Sequence, residues 1–221
     1  MNNRLFEDYY NNPLKFDEKF FLRGVGKKYL VHPHFEKWFN YIIENYNPPN
    51  YKKIALFTVC SWGKPYSQSY IHYFIQKTLN DLETTKFNKI HQIIVSNCGI
   101  VPRELENFYP FCSYDWDPNF EWDEIKKEYS SILACRLKRY LDKQASKYDQ
   151  MFCYLRYDSD SYDAIRIVEK NSNYKIPNLS LTEVSKDEIF EASLGNLYND
   201  CDIILITKSN LSSLLEKLRK I

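Results

Sequence analysis

Apolar and polar positions follow two rhythms along this chain. Compact apolar runs at Lys53 to Val59, Lys89 to Ser96, Met151 to Arg156 and Asp202 to Thr207, each bounded by loop residues, predict strands, the first a central parallel strand buried on both faces. Between them the spacing turns helical. Phe35, Trp38, Phe39, Ile42, Ile43 and Tyr46 share a face until Pro48-Pro49 ends the helix. Tyr70 to Leu82 continues from the first strand as a helix. Phe120 to Leu141 is the longest, with Trp122, Ile125, Tyr129, Ile132, Leu133, Leu137, Tyr140 and Leu141 on one side. Asp158 to Ser161 supplies caps for a helix running through Val168, and Ser209 caps a last one carrying Leu211, Leu214, Leu215 and Leu218. Asn97-Cys98-Gly99 reads as a turn, followed by a short helix with Pro102 at its first position. Strands separated by helices require βαβ crossovers, so the expected fold class is α/β: a three-layer α/β/α sandwich with a mainly parallel sheet. One domain is expected over residues 1–221, with residues 1–30, aromatic but aperiodic, as an arm packed on it.

Composition removes several functions. Lys plus Arg number 30 and Asp plus Glu 29, a formal charge of +1, so no global basic field draws a polyanion, and nucleic-acid binding must rest on a local patch or a partner. No segment has the apolar core of a secretory signal or the roughly 20 apolar residues of a membrane span. The six cysteines are scattered without a Cys-x-x-Cys pair, which predicts a reduced, cytoplasmic protein with neither disulfides nor a structural metal site.

Chemistry concentrates in Cys60 to His72, CSWGKPYSQSYIH, a polar segment broken by glycine and proline where a buried strand gives way to a helix. Ligands of open α/β sheets bind at the carboxyl ends of strands. A free cysteine there is ordinarily an inert core residue. Its neighbours alter that reading, because Lys64 and His72 would favour a thiolate if they fold over it, as would a helix N-terminus. Lys64 taken alone is a solvated lysine, and His72, about one turn beyond Ser69, is a structural or a proton-shuttling histidine. Tyr66, Ser67 and Ser69 can serve as turn and cap residues or hydrogen-bond a base or phosphate; Ser67 is the expected cap, and Tyr66 and Ser69 are candidates for substrate binding.

The order of these residues resembles the archaeosine synthase family, whose motif runs Pro-Cys, three residues, Lys-Pro-Tyr, two residues, Ser, two residues, His. Cys60, Lys64, Pro65, Tyr66, Ser69 and His72 match in register, with Val59 in place of the leading proline. A second block, Ile100 to Glu106 through Tyr109-Pro110 to Tyr114-Asp115, is also similar. The resemblance implies a sheet like that of uracil-DNA glycosylases and a reaction on transfer RNA carrying 7-cyano-7-deazaguanine, in which an amine, lysine in the family pathway, adds to the nitrile to give an amidine. It implies Cys60 as nucleophile forming a thioimidate, His72 as proton shuttle and Lys64 as electrostatic partner, with Glu104 and Asp115 holding the amine and Arg103 meeting phosphate or carboxylate. No metal or other cofactor is implied. Full-length members add a transglycosylase-like region and an RNA-binding module. The chain has length for neither, which implies a stand-alone catalytic domain with an RNA-binding or radical-lyase partner, or a relative acting on another 7-deazaguanine substrate. The rival readings are a nucleobase- or RNA-binding subunit without turnover and a glycosylase-like hydrolase.

Overall fold

The computed structural model describes residues 23–109 and 112–221, so the expected arm is described only from Arg23 onward. That part is packed: Arg23 bridges to Asp115, and the short helix α1 (Lys27–Leu30) buries Leu30. Helix α2 (Pro33–Glu44) precedes strand β1 (Ile54–Thr58), and α3 (Tyr70–Asn80) and α4 (Thr84–Lys89) lead to β2 (Ile90–Ser96). The chain then turns into β3 (Gly99–Pro102), enters a 3-10 helix over Arg103–Phe108, and continues through the long α5 (Asp123–Gln144) to β4 (Gln150–Tyr154) and α6 (Asp160–Lys170). Helix α7 (Lys186–Ala192), a 3-10 helix over Cys201–Ile206 and α8 (Lys208–Arg219) complete it.

The sheet order is β3-β2-β1-β4, with β1 parallel to both β2 and β4 and β3 antiparallel to β2. Helices cover both sides of the sheet. Every residue of β1 and β2 is buried, which is why their sequences are apolar runs with little alternation. Helix α5 packs against α2 and α6, while α3 packs against α8 and the Cys201–Ile206 turn. The order matters for function. The chain steps from β1 to β2 in one direction and returns across β1 to β4 in the other, so with right-handed crossovers the connecting helices lie on opposite faces and a crevice opens at the carboxyl ends of β1 and β4.

Two segments depart from the sequence pattern. Asp202 to Thr207, expected as a strand, is the 3-10 helix Cys201–Ile206, capped by the Asp200 side chain on the Asp202 amide. The sheet edge it would have filled is taken by Asn178, whose segment bridges Cys153, with Cys153 N donating to Pro177 O and Leu179 N to Cys153 O. Ile203, Leu205 and Ile206 are buried all the same, and the Tyr154 hydroxyl donates to Leu205 O. The other departure is β3, a hairpin strand made possible by Gly99 at φ 112°, where a Cβ would stand 3.0 Å from Arg136 Cδ. Pro102 therefore ends a strand and directly precedes the short 3-10 helix. At the last helix Thr207 occupies the cap position without a side-chain capping bond, its hydroxyl donating back to Ile204 O, and Ser209 instead hydrogen-bonds Glu188. The cap of α6 is Ser159, within the expected span.

Candidate active site at the carboxyl end of the sheet

Cys60 lies two residues beyond β1, at the lip of the crevice, and is half-buried. The loop after it is fixed at both ends. At its start, His72 Nε2 lies 2.8 Å from Val59 O; a carbonyl only accepts, so this nitrogen carries the proton. His72 Nδ1 is then the acceptor for Arg103 Nη2 at 2.8 Å. Arg103 also donates to Glu106 Oε2 at 2.8 Å and Gln92 Oε1 at 3.3 Å, and the same Glu106 oxygen accepts from Ser67 N at 3.0 Å. A chain of hydrogen bonds thus runs from the residue before Cys60, through α3 and the Arg103–Phe108 helix, to the far end of the loop. Ser69 accepts from His72 N as the N-cap of α3, and Gly63 is pressed so close to it that a Cβ would lie 2.7 Å from Ser69 Cα and Cβ. The expected division of labour between the serines is reversed: Ser69 is the cap and is buried, while Ser67 is exposed.

The sulfur meets a different network. Tyr66 hydroxyl stands 3.5 Å from Cys60 Sγ, 2.8 Å from Ser113 Oγ and 3.1 Å from Ser96 Oγ, and its ring is fully buried. Ser96 passes the chain to Asn97 Oδ1, and Asn97 Nδ2 donates to Tyr114 O. Burial, reinforced by Cys60 and Cys112 nearby, pushes the Tyr66 hydroxyl well above its ordinary range, so it keeps its proton. Lys64 lies beside this ring and that of Tyr109, its side chain only 4% exposed, with Asp115 Oδ1 3.5 Å from Nζ. Tyr109 hydroxyl donates to the same carboxylate at 3.4 Å.

The sequence-derived candidates therefore separate. Cys60, Lys64, Tyr66 and Asp115 come together at the crevice. Buried His72 and half-buried Arg103 stand behind the loop as a pair; burial first, then the Arg103 charge, depresses His72 to about 3. Both its ring nitrogens are engaged, and the sulfur's hydrogen-bond contacts are Tyr66 and the Ser61 carbonyl. Arg103 turns inward to a protein carboxylate. Glu104 is at the other end of the sheet, bonded to Tyr46 hydroxyl and 3.3 Å from His91 Nε2. His91 is five positions before Ser96 on β2, about 16 Å at the rise of a strand. Sequence reasoning passed over Glu106, Ser96, Asn97, Ser113 and Tyr109. Glu106 sits inside the second matching block, and Ser96 and Asn97 end the strand beside β1, so both signals were present.

Two surface grooves lie away from Cys60, one of about 460 Å³ between α3, α7 and α8 and one of about 770 Å³ between α5 and α6. Among the described residues no cluster of His, Cys, Asp and Glu is suited to hold a metal, and no helix is long and apolar enough to cross a membrane.

A half-buried cysteine on a hydrogen-bonded loop, at the point where a doubly wound sheet reverses direction, defines an α/β protein with a thiol at the carboxyl end of its central strand. The family model described as "Domain of unknown function (DUF5591)" matches residues 35–201, and the chain belongs to that family, among the archaeosine synthase relatives its motifs resemble. It is 33% identical over 163 residues to archaeosine synthase subunit alpha of Thermoplasma acidophilum, covering 72% of this chain and 30% of the relative. It is 40% identical over 108 residues to the protein of the same name from Methanosarcina acetivorans (48% and 16%), and 31% over 144 residues to archaeosine synthase of Haloferax volcanii (65% and 22%). The chain thus spans less than a third of the length of these relatives. The crystal structure of AF0587, a protein of unknown function, superposes with a TM-score of 0.52 at 18% identity over 82% of this chain and 49% of that one, a likeness of fold.

Proposed function

We propose that the chain is an enzyme of archaeosine biosynthesis in tRNA, and that it adds an amine, lysine in the family pathway, to the nitrile of 7-cyano-7-deazaguanine through a thioimidate on Cys60. The observation that carries this reading is the half-buried Cys60 at the carboxyl end of β1, with a protonated Tyr66 hydroxyl 3.5 Å from its sulfur. In the first step the thiolate forms a bond to the nitrile carbon while the nitrile nitrogen takes a proton, giving a thioimidate. The amine then bonds to the same carbon, the carbon–sulfur bond breaks, the amine's surplus proton leaves with the sulfur or to solvent, and an amidine remains. Nothing is oxidised or reduced. Covalent catalysis divides one difficult addition into two easier ones.

Tyr66 serves both states of the sulfur. Facing a thiol, its oxygen accepts the S–H while its own proton goes to Ser113; facing a thiolate, it donates to sulfur and a serine hydroxyl donates to it. Lys64, held between Tyr66 and Tyr109, supplies positive charge next to the reacting nitrogen and sulfur, and Asp115 fixes it there. His72 and Arg103 act through the backbone by holding Val59 and hence the direction of Cys60, a positioning role in place of the proton shuttle. Ser69 contributes as the cap that sets the loop. Asp115 is the one expected amine-recognising carboxylate at the crevice. The name subunit alpha on relatives supports a partner subunit, the source of RNA-binding or lyase parts.

The test is mass spectrometry of the protein incubated with 7-cyano-7-deazaguanine and with tRNA bearing it. A mass increase on the Cys60 peptide, absent in Cys60→Ser and discharged by lysine, is the expected outcome; no adduct and no amidine product with either substrate refutes the reading.

A further inference from the structure

Trp62 and Tyr157 are large rings left in water, 45% and 36% exposed, on the loops that follow β1 and β4. Thr58 of β1 pairs with Tyr154 of β4, so Cys60 and Arg156 leave the sheet level with each other, on strands about 4.8 Å apart. Trp62 follows on one loop and Tyr157 on the other. Neither loop wanders: Gly63 is pressed against the buried cap Ser69, and Tyr157 meets the Tyr162 ring edge-on at 5.0 Å between centroids. The charge at the second lip is already spent within the protein, because Arg156 pairs with Asp158 at 2.7 Å and Asp202 at 3.3 Å. A ligand approaching Cys60 there meets aromatic faces and a neutralised cation.

We propose that Trp62 and Tyr157 are the recognition residues of the crevice, taking a flat heteroaromatic base between them by stacking and setting its substituent over Cys60. The assignment rests on the reading of Cys60 as a nucleophile toward a base-borne nitrile and names how that base is held. Every base has a π face, and stacking on aromatic side chains is the usual way an unpaired base is bound. Because phosphate plays no part at this lip, the base and its nucleoside 5′-phosphate should bind alike, unlike a site built on basic side chains.

The experiment is calorimetric titration of 7-cyano-7-deazaguanine into Cys60→Ser protein, in which no covalent step can follow binding. Trp62→Ala should weaken affinity by about tenfold or more, Trp62→Phe should restore most of it, and Tyr157→Ala should weaken it about fivefold. In the protein with Cys60 intact, Trp62→Ala should raise KM for adduct formation, and Trp62→Phe should restore it. Failure of the Cys60→Ser parent to bind the base, or equal binding by both alanine variants, overturns the proposal. A Cys60 adduct with unaltered binding by the alanine variants sinks the stacking and spares the nitrile chemistry; stacking losses without any adduct do the reverse.

Discussion

The two ends of this sheet each carry a buried polar network, and they are built to opposite ends. At the amino end, His91 is engaged through both ring nitrogens, by Tyr148 hydroxyl at 2.6 Å and by Tyr46 hydroxyl at 3.0 Å with Glu104 beside it, and Tyr148 joins Tyr140 at 2.8 Å. Burial pushes the Glu104 carboxyl up, but the hydrogen bonds and charge of His91 and the Tyr46 hydroxyl outweigh it and hold the group at about 2. That network closes on itself. At the carboxyl end the Tyr66–Ser96–Ser113–Asn97 chain is closed everywhere except at the half-buried sulfur of Cys60. A fully satisfied network rigidifies a core, whereas one that ends on a thiol at a strand's carboxyl edge leaves that thiol on the side of the sheet where ligands bind. The comparison places Glu104 at the far end of the sheet from Cys60 and Tyr66 beside it.

The largest expected effect is at the open end. Cys60→Ser should lower amidine formation by about 10³-fold or more while leaving thermal unfolding nearly unchanged, since a lone nucleophile contributes far more to rate than to stability. Glu104→Gln should leave the rate within about twofold; a comparable loss there would join the two networks and break the contrast. Glu106→Ala comes next. It strands the Arg103 guanidinium, at 16% side-chain exposure, and should cost about 3 kcal/mol in urea unfolding as well as altering alkylation of Cys60 by iodoacetamide. An unchanged alkylation rate would disconnect the clamp from the sulfur. Tyr66→Phe should cost about 1–2 kcal/mol by leaving the serine pair short of a partner, and should slow Cys60 alkylation several-fold.

The smallest effects concern pH. His72 has a folded pKa of about 3 against an ordinary 6.5, so below pH 6.5 the unfolded chain takes a proton that the folded one refuses. Its contribution is therefore present above pH 6.5 and falls by up to about 1.4 kcal/mol per unit as the pH drops toward 3. Asp160 and Asp202, both raised by burial to about 6, work in the opposite direction over part of that range, so the difference between wild type and His72→Gln is the quantity to follow. That difference should shrink from pH 7 to pH 5. Glu104, depressed from 4.5 to about 2, contributes stability that is present above pH 4.5 and lost as the pH falls toward 2; Glu104→Gln should flatten the curve only there. A flat difference curve for either variant would refute the corresponding network.

The strands β1, β2 and β4 and the helices around them were legible because burial on two faces, or on one helical stripe, leaves a periodic trace in the residues themselves. The Cys201–Ile206 segment misled because an apolar run of six serves a buried turn as well as a strand; what decided was Asn178, already seated on the edge of β4. The serines of the motif loop were both plausible caps, and φ and ψ at Ser69 settled which one caps α3.

By itself the sequence determined the layered α/β class, the place of Cys60 at the end of a central strand, and the archaeosine synthase likeness of its motif, since these depend on local order and spacing. Tertiary structure alone decided which side chains meet. Arg103 and Glu104 are neighbours in the chain, yet a 3-10 helix turns successive residues about 120° apart, sending one to His72 and Glu106 and the other to Tyr46 and His91. Tyr66 reached the sulfur by the same rule: long-range packing chose its partners from β2 and the Ser113 loop, and no local pattern encodes a choice made by residues 30 and 47 positions away.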